Sequence, residues 1–112
     1  MNFFENTGTA ANPAFAASQA NPFGLAGGYS FAHPTFADLD QDGDMDLLIN
    51  EIYGTFQYFE NTGSASAPAF AAPVANAFGL TVASAIALST LVDIDADGDY
   101  DVLSSIYYGE MA

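Results

Sequence analysis

The chain has 112 residues, 51% of them hydrophobic, with 14 Asp and Glu, one His and no Lys, Arg or Cys. A net charge of −14 with no Lys or Arg leaves nothing to neutralise phosphates, which excludes nucleic acid and anionic membrane surfaces as partners. Without Cys there are no disulfides, thiolate metal sites or cysteine nucleophiles, and the 10 Phe and 6 Tyr are too many for a disordered acidic tail.

In chain order, apolar alternation and turn residues predict short strands. The first two run about Asn2–Glu5 and Ala14–Ser18, joined through Asn6-Thr7-Gly8. A long loop carrying Phe23-Gly24-Leu25 follows. Strand A is expected at Thr35–Leu39, then an Asp-rich loop, strand B at Met45–Asn50, and a turn through Glu51–Gly54. Strand C is expected at Thr55–Glu60, where Phe56, Tyr58 and Glu60 alternate with Thr55, Gln57 and Phe59. Asn61-Thr62-Gly63 reads as a turn, because Asn caps its own backbone and Gly tolerates positive φ. Strand D is expected at Ala69–Val74, and the Ala-rich stretch Val82–Leu88 as a helical turn. A second A–B pair flanks a second Asp loop and ends near Tyr108. No apolar run approaches the ~20 residues of a bilayer span, and no basic segment leads an apolar stretch as in a secretory leader.

The chain aligns with itself at a shift of 55 residues, with 27 of 57 aligned positions identical. Phe4-Glu5-Asn6-Thr7-Gly8 falls on Phe59-Glu60-Asn61-Thr62-Gly63, and Pro13-Ala14-Phe15-Ala16-Ala17 on Pro68-Ala69-Phe70-Ala71-Ala72. Four short strands per repeat predict an all-β chain of β-propeller blades, with two tandem repeats at about 1–55 and 56–112. The phase gives one complete blade, about 34–74, between half-blades at about 1–19 and 88–112. Half-blades leave strand edges unpaired, and no lysine blunts them. Head-to-tail pairing of copies would close a ring or grow a filament. A piece of a longer tandem chain accounts for the phase equally well.

Ten of the 14 acidic residues lie in two copies of one loop: Asp38, Asp40, Asp42, Asp44 and Asp46, and Asp93, Asp95, Asp97, Asp99 and Asp101. At ~4 Å and an effective dielectric near 20, each close pair of carboxylates costs about 4 kcal/mol. A hard divalent cation relieves that repulsion. In D-x-D-x-D-G-x-x-D, side chains at positions 1, 3 and 5 turn to one centre, Gly allows the bend, position 7 offers its carbonyl and the last Asp closes the shell. This set suits Ca²⁺, about one ion per loop, better than Mg²⁺ or Zn²⁺. An EF-hand needs Glu at position 12, where Ile49 and Ser104 stand. A solvated acidic turn without metal is the plainer alternative.

The Asp loop followed by Leu47-Leu48 or Val102-Leu103, in a blade-length repeat with Phe-Gly and the phrase Phe-Glu-Asn-Thr-Gly…Pro-Ala-Phe, resembles the FG-GAP/VCBS family of propeller repeats. The resemblance implies calcium-stabilised, mostly extracellular modules in adhesins, some lectins and secreted enzymes, with the loop aspartates as ligands. The family's Gly-Ala-Pro after strand B is missing here, replaced by Asn50-Glu51-Ile52 and Ser105-Ile106-Tyr107.

Catalysis has few candidates. His33 aligns with Leu88 and reads as packed or at an edge, Glu5, Glu60, Glu51 and Glu110 as solvated strand ends or turns, and Ser104 and Ser105 have no base in reach. The recurring rings Phe4/Phe59, Phe15/Phe70 and Phe23/Phe78 read as packing between blades. The turn tyrosines Tyr53, Tyr107 and Tyr108 are the better contacts for a glycan. The expectation is therefore a non-enzymatic, calcium-stabilised extracellular scaffold or adhesion module that assembles with itself. A carbohydrate-binding propeller and a non-catalytic appendage of a secreted enzyme are the rivals.

Overall fold

The computed structural model describes residues 1–25, 27, 29, 32–51, 53–81 and 86–107. Among these residues it is all-β, with eight strands in three small antiparallel sheets, none closed into a barrel. β1 (Asn2–Phe3) pairs with β2 (Gln19–Ala20). β3 (His33–Ala37), β4 (Asp46–Asn50), β5 (Phe56–Phe59) and β6 (Val74–Ala75) form a four-stranded meander in that order. β7 (Ile86–Val92) and β8 (Asp101–Tyr107) form the third sheet.

The central sheet is the core. Along β4 the register sets Leu47 opposite Phe59, Leu48 opposite Tyr58, Ile49 opposite Gln57 and Asn50 opposite Phe56. Alternation then sends Leu47, Ile49 and Phe59 to one face and Leu48, Phe56 and Tyr58 to the other. The first face is covered by Met1, Leu25, Tyr29 and Ala32 from the chain before β3 and by Phe70 from the segment between β5 and β6. The second is covered by Leu39, Ala77 and Leu80 and, from the third sheet, by Leu91 and Val102. A strand covered on both sides has no polar face to keep, so every residue of β4 is buried. Each of Leu47, Leu48, Ile49, Phe56 and Phe59 is at most 2% exposed, and such burial contributes about 1.5–3 kcal/mol per side chain.

Local structure recurs at the 55-residue spacing. Asn6 Oδ1 accepts the Gly8 and Ala14 amides at 2.9 Å, and Asn61 Oδ1 accepts those of Gly63 and Ala69 at 3.0 Å. Asn21 N–H donates to the Met1 carbonyl and Asn76 N–H to that of Phe56. Positive φ recurs at Asn21 and Asn76, at Phe23 and Phe78, and at Gln41 and Ala96. At Gly63 a Cβ would collide with the Ala67 carbonyl oxygen, which is why that turn takes glycine.

Three expectations are corrected. The strand expected at Ala69–Val74 is reduced to Val74–Ala75 plus a bridge between Asn61 and Phe70. Its N-terminal counterpart, expected at Ala14–Ser18, is likewise reduced to Gln19–Ala20 and a bridge between Asn6 and Phe15. In both, the Asn side chain holds the returning backbone where ladder bonds would otherwise run. The helical turn expected over Val82–Leu88 is strand from Ile86 onward, because Ile86–Val92 gains a full antiparallel partner in β8. Residues 82–85 lie outside the described residues. A 3-10 turn instead occupies Ala77–Gly79.

Candidate metal centre

Each Asp loop bridges two antiparallel strands, the first between β3 and β4 and the second between β7 and β8. The first is organised by its own carboxylates. Asp38 Oδ1 accepts the Asp42 amide at 3.1 Å and Asp38 Oδ2 the Gly43 amide at 3.0 Å. Asp40 Oδ1 also accepts from Asp42, and Asp42 Oδ1 accepts from Asp44. Asp46 Oδ2 reaches back to the Leu39 amide at 3.0 Å and closes the loop. The second loop repeats all five bonds, with Asp93, Asp95, Asp97 and Asp101 accepting and Ile94, Asp97, Gly98 and Asp99 donating. Gly43 and Gly98 hold φ of +100° and +101°, a conformation that a side chain would strain.

This wiring brings carboxylate oxygens together. Asp38, Asp40 and Asp42 offer oxygens within 4.8 Å of one another, and so do Asp93, Asp95 and Asp101. A carboxylate has about four lone-pair sites, so an oxygen already bonded to an amide keeps room for a cation. The two triads differ in their third member. Asp46 and Asp97 are in the loops but outside these triads, and the side chains of Asp44 and Asp99 are outside them too.

Electrostatics follow the crowding. Burial, then the charges of Asp42, Asp46, Asp40 and Asp38, push the Asp44 carboxyl above its ordinary range. Asp40 is pushed up by desolvation and by Asp46 and Asp42, against the Asp42 amide, which lowers it. In the second loop the Asp99 amide and carboxyl hold Asp97 below the usual value, and Asp99 is correspondingly raised. Loss of water and the charges of Asp46 and Asp40 drive the Tyr58 hydroxyl upward.

The two centres differ in their support. Asp46 is fully buried, and its second oxygen accepts the Asn61 amide at 2.8 Å. Asn61, itself buried, donates its side-chain amide to the Met45 carbonyl at 3.3 Å. Asn61 thus links the loop to the turn after β5. From the sequence Asn61 is expected only as a turn residue, although it recurs with Asn6.

The remaining candidates scatter. His33 opens β3, half-buried opposite Asn50. Its Nδ1, the Asn50 amide and the hydroxyls of Ser89 and Ser104 are buried without a hydrogen-bond partner among the described residues. No sequence signal marked this set. Phe59 is fully buried and Phe70 packs on the same cluster, but their counterparts Phe4 and Phe15 are exposed. Phe23 meets Phe3 edge-on at 5.0 Å and Phe78 meets Tyr58 at 4.8 Å. Tyr53 is 83% exposed at its turn, whereas Tyr108 and Glu110 lie outside the described residues. No helix among the described residues is long and apolar enough to cross a membrane.

The chain matches no protein-family model, no curated protein and no solved structure. The likeness to FG-GAP/VCBS repeats therefore stays with the residues that suggested it.

Proposed function

We propose that the chain is a calcium-stapled structural or interaction module built from propeller-type blades and working outside the cell. One observation carries the reading. Two loops 55 residues apart fold with the same hydrogen bonds and each gathers three carboxylate oxygens within 4.8 Å, in a chain with no Lys or Arg to offset them. Calcium takes six to eight oxygens at 2.3–2.6 Å in flexible geometry. Asp38, Asp40, Asp42, the Asp44 carbonyl and Asp46 would form one shell, and Asp93, Asp95, Asp97, the Asp99 carbonyl and Asp101 the other. Bound ions would staple β3 to β4 and β7 to β8. Such sites suit millimolar extracellular calcium, which is the reason for placing the protein outside the cell.

The blade reading draws support from the central meander, one face of which packs against Leu91 and Val102 of the third sheet while the other is covered by Met1 and by Leu25, Tyr29 and Phe70 outside the strands. Face-to-face stacking of four-stranded antiparallel sheets is how propeller blades pack. No group in the loops is left in a catalytic arrangement, so we read the chain as non-enzymatic.

The test is calcium titration by calorimetry together with thermal melts in calcium and in chelator. Two ions per chain are expected. Saturation at a hundred times Kd adds about 2.7 kcal/mol per site. An unchanged melt in chelator would remove the ion from the account.

A second reading has one observation behind it. A cleft of about 680 Å³ between the first and central sheets is lined by Phe3, Phe23, Phe36 and Phe70 with Glu5 and Asn61 at hand, the mixture of rings and polar groups that a sugar uses. Binding on a glycan array in calcium, lost in Phe36→Ala, would establish a lectin. Silence across the array would leave the scaffold.

A further inference from the structure

We propose that the free edge of β8 takes the β1–β2 hairpin of a second copy of this chain, completing a four-stranded sheet in the order β7–β8–β1–β2. The inference deepens the scaffold reading by naming its partner. It rests on the four-strand unit of that reading and not on the ion.

The template lies inside the molecule. The central sheet runs β3–β4–β5–β6, and β7 and β8 repeat β3 and β4 whereas β1 and β2 repeat β5 and β6. In the central sheet β4 and β5 pair with each other; in the outer sheets β8 and β1 each have a partner on one edge only among the described residues. Unpaired edges present rows of N–H and C=O groups that template another strand. Exposure follows the missing partner. Phe59 and Leu48 are 0% exposed in the central sheet, but Phe4 and Leu103, the residues 55 positions away, are 55% and 59% exposed.

The register transfers without adjustment. Leu47 faces Phe59 and Leu48 faces Tyr58. Moving β4 forward and β5 back by one repeat sets Val102 opposite Phe4, and Leu103 opposite Phe3, of the second copy. The bond from the Asn61 amide to Asp46 Oδ1 then becomes one from the second copy's Asn6 amide to Asp101 Oδ1. Among the described residues, Asp101 accepts only through Oδ2, from Ile94, and the Asn6 backbone N–H donates to nothing. Phe4 would stand beside Val102 at a cleft of about 380 Å³ lined also by Leu48, Leu80 and Leu91. Copies of net charge −14 repel at long range, and physiological salt screens this beyond about 8 Å.

Because the chain has no Cys, engineered disulfides report single pairs. Phe4→Cys is mixed with mass-tagged Val102→Cys, and separately with mass-tagged Leu103→Cys, in calcium and in chelator at physiological salt. Facing Cβ atoms in an antiparallel pair are close enough to bridge, whereas a one-residue slip turns them to opposite faces. The mixed disulfide with Val102→Cys is expected at least about tenfold faster than that with Leu103→Cys. Light scattering of the unmodified chain should give multiples of 11.7 kDa. Equal rates for the two mixtures, or no mixed disulfide together with a strictly monomeric unmodified chain, would overturn the junction. The Val102 disulfide in chelator as well as in calcium would support the junction and remove the ion from it. A calcium-dependent melt without that disulfide would refute the junction and leave the ion reading standing.

Discussion

Replacing Asp46 and Asp101 separately by Ala tests whether the last aspartate of each loop does the same work. Both substitutions remove one carboxylate from a proposed calcium shell and one charge from an acidic cluster, so those effects largely cancel in the comparison. The hydrogen bonds do not cancel. Asp46 is fully buried and accepts the Leu39 amide at 3.0 Å and the Asn61 amide at 2.8 Å. A buried donor left unpaired costs about 1–3 kcal/mol, so Asp46→Ala should lose about 2–6 kcal/mol from this source. Asp101 is half-buried and, among the described residues, accepts only the amide of Ile94, a residue 68% exposed, where water can substitute. That loss should be about 0.5–1.5 kcal/mol. Urea denaturation in saturating calcium, on protein dilute enough to keep copies apart, should separate the variants by about 3 kcal/mol, or about 12–24 °C in melting temperature for a domain of this size. Asp46→Asn should fall between the wild type and Asp46→Ala, because its one oxygen keeps one amide while its NH₂ faces the other donor. Equal losses in the two loops, or a larger loss for Asp101→Ala, would refute the reasoning.

Gly43→Ala should destabilise by about 1–2 kcal/mol through backbone strain alone, since nothing lies within 4 Å of the added Cβ; a neutral denaturation curve would contradict the assigned φ. Phe59→Ala should cost about 3–5 kcal/mol from a fully buried site, whereas Phe4→Ala on dilute protein should cost less than about 0.5 kcal/mol, with both read from urea midpoints. In chelator, the melting temperature should rise as pH falls from about 7 toward about 4.5. The carboxyls of Asp40, Asp44 and Asp99 have raised pKa values when folded. Their contribution is full below the unfolded value near ~3.9 and is lost as pH rises through the folded one. Asp97, lowered, loses its contribution only below that window. A melting temperature that falls steadily across the same range would contradict the crowding of these carboxylates. Tyr53→Ala, at an 83% exposed turn, should leave the melt unchanged and reads only on any glycan binding.

Much of the architecture was legible because its signals are local. Phe56-Gln57-Tyr58-Phe59 and Leu47-Leu48-Ile49 are strands by residue type, and D-x-D-x-D-G-x-x-D wires itself through bonds spanning two to seven residues. Two copies of such a segment fold alike because each carries its own turn chemistry. What lay beyond that range was read less well. Strand D at Ala69–Val74 was lengthened because apolar composition does not reveal that Asn61 Oδ1 takes the Ala69 amide out of the ladder. The alanines of Val82–Leu88 favour a helical turn, a preference that yields from Ile86 onward to a pairing partner some twenty residues away.

The sequence by itself determined the acidic loops, their bend glycines, the period of 55 and the all-β class, since these follow from charge, chain stiffness and alternation within a few residues. Only the tertiary structure decided that β4 is buried on both faces, that Asn61 locks Asp46 but nothing in the described chain locks Asp101, and that Phe59 is interior where Phe4 is bare. Identical residues meet different fates because burial depends on what stands across the sheet, and no local pattern encodes the presence of a neighbour.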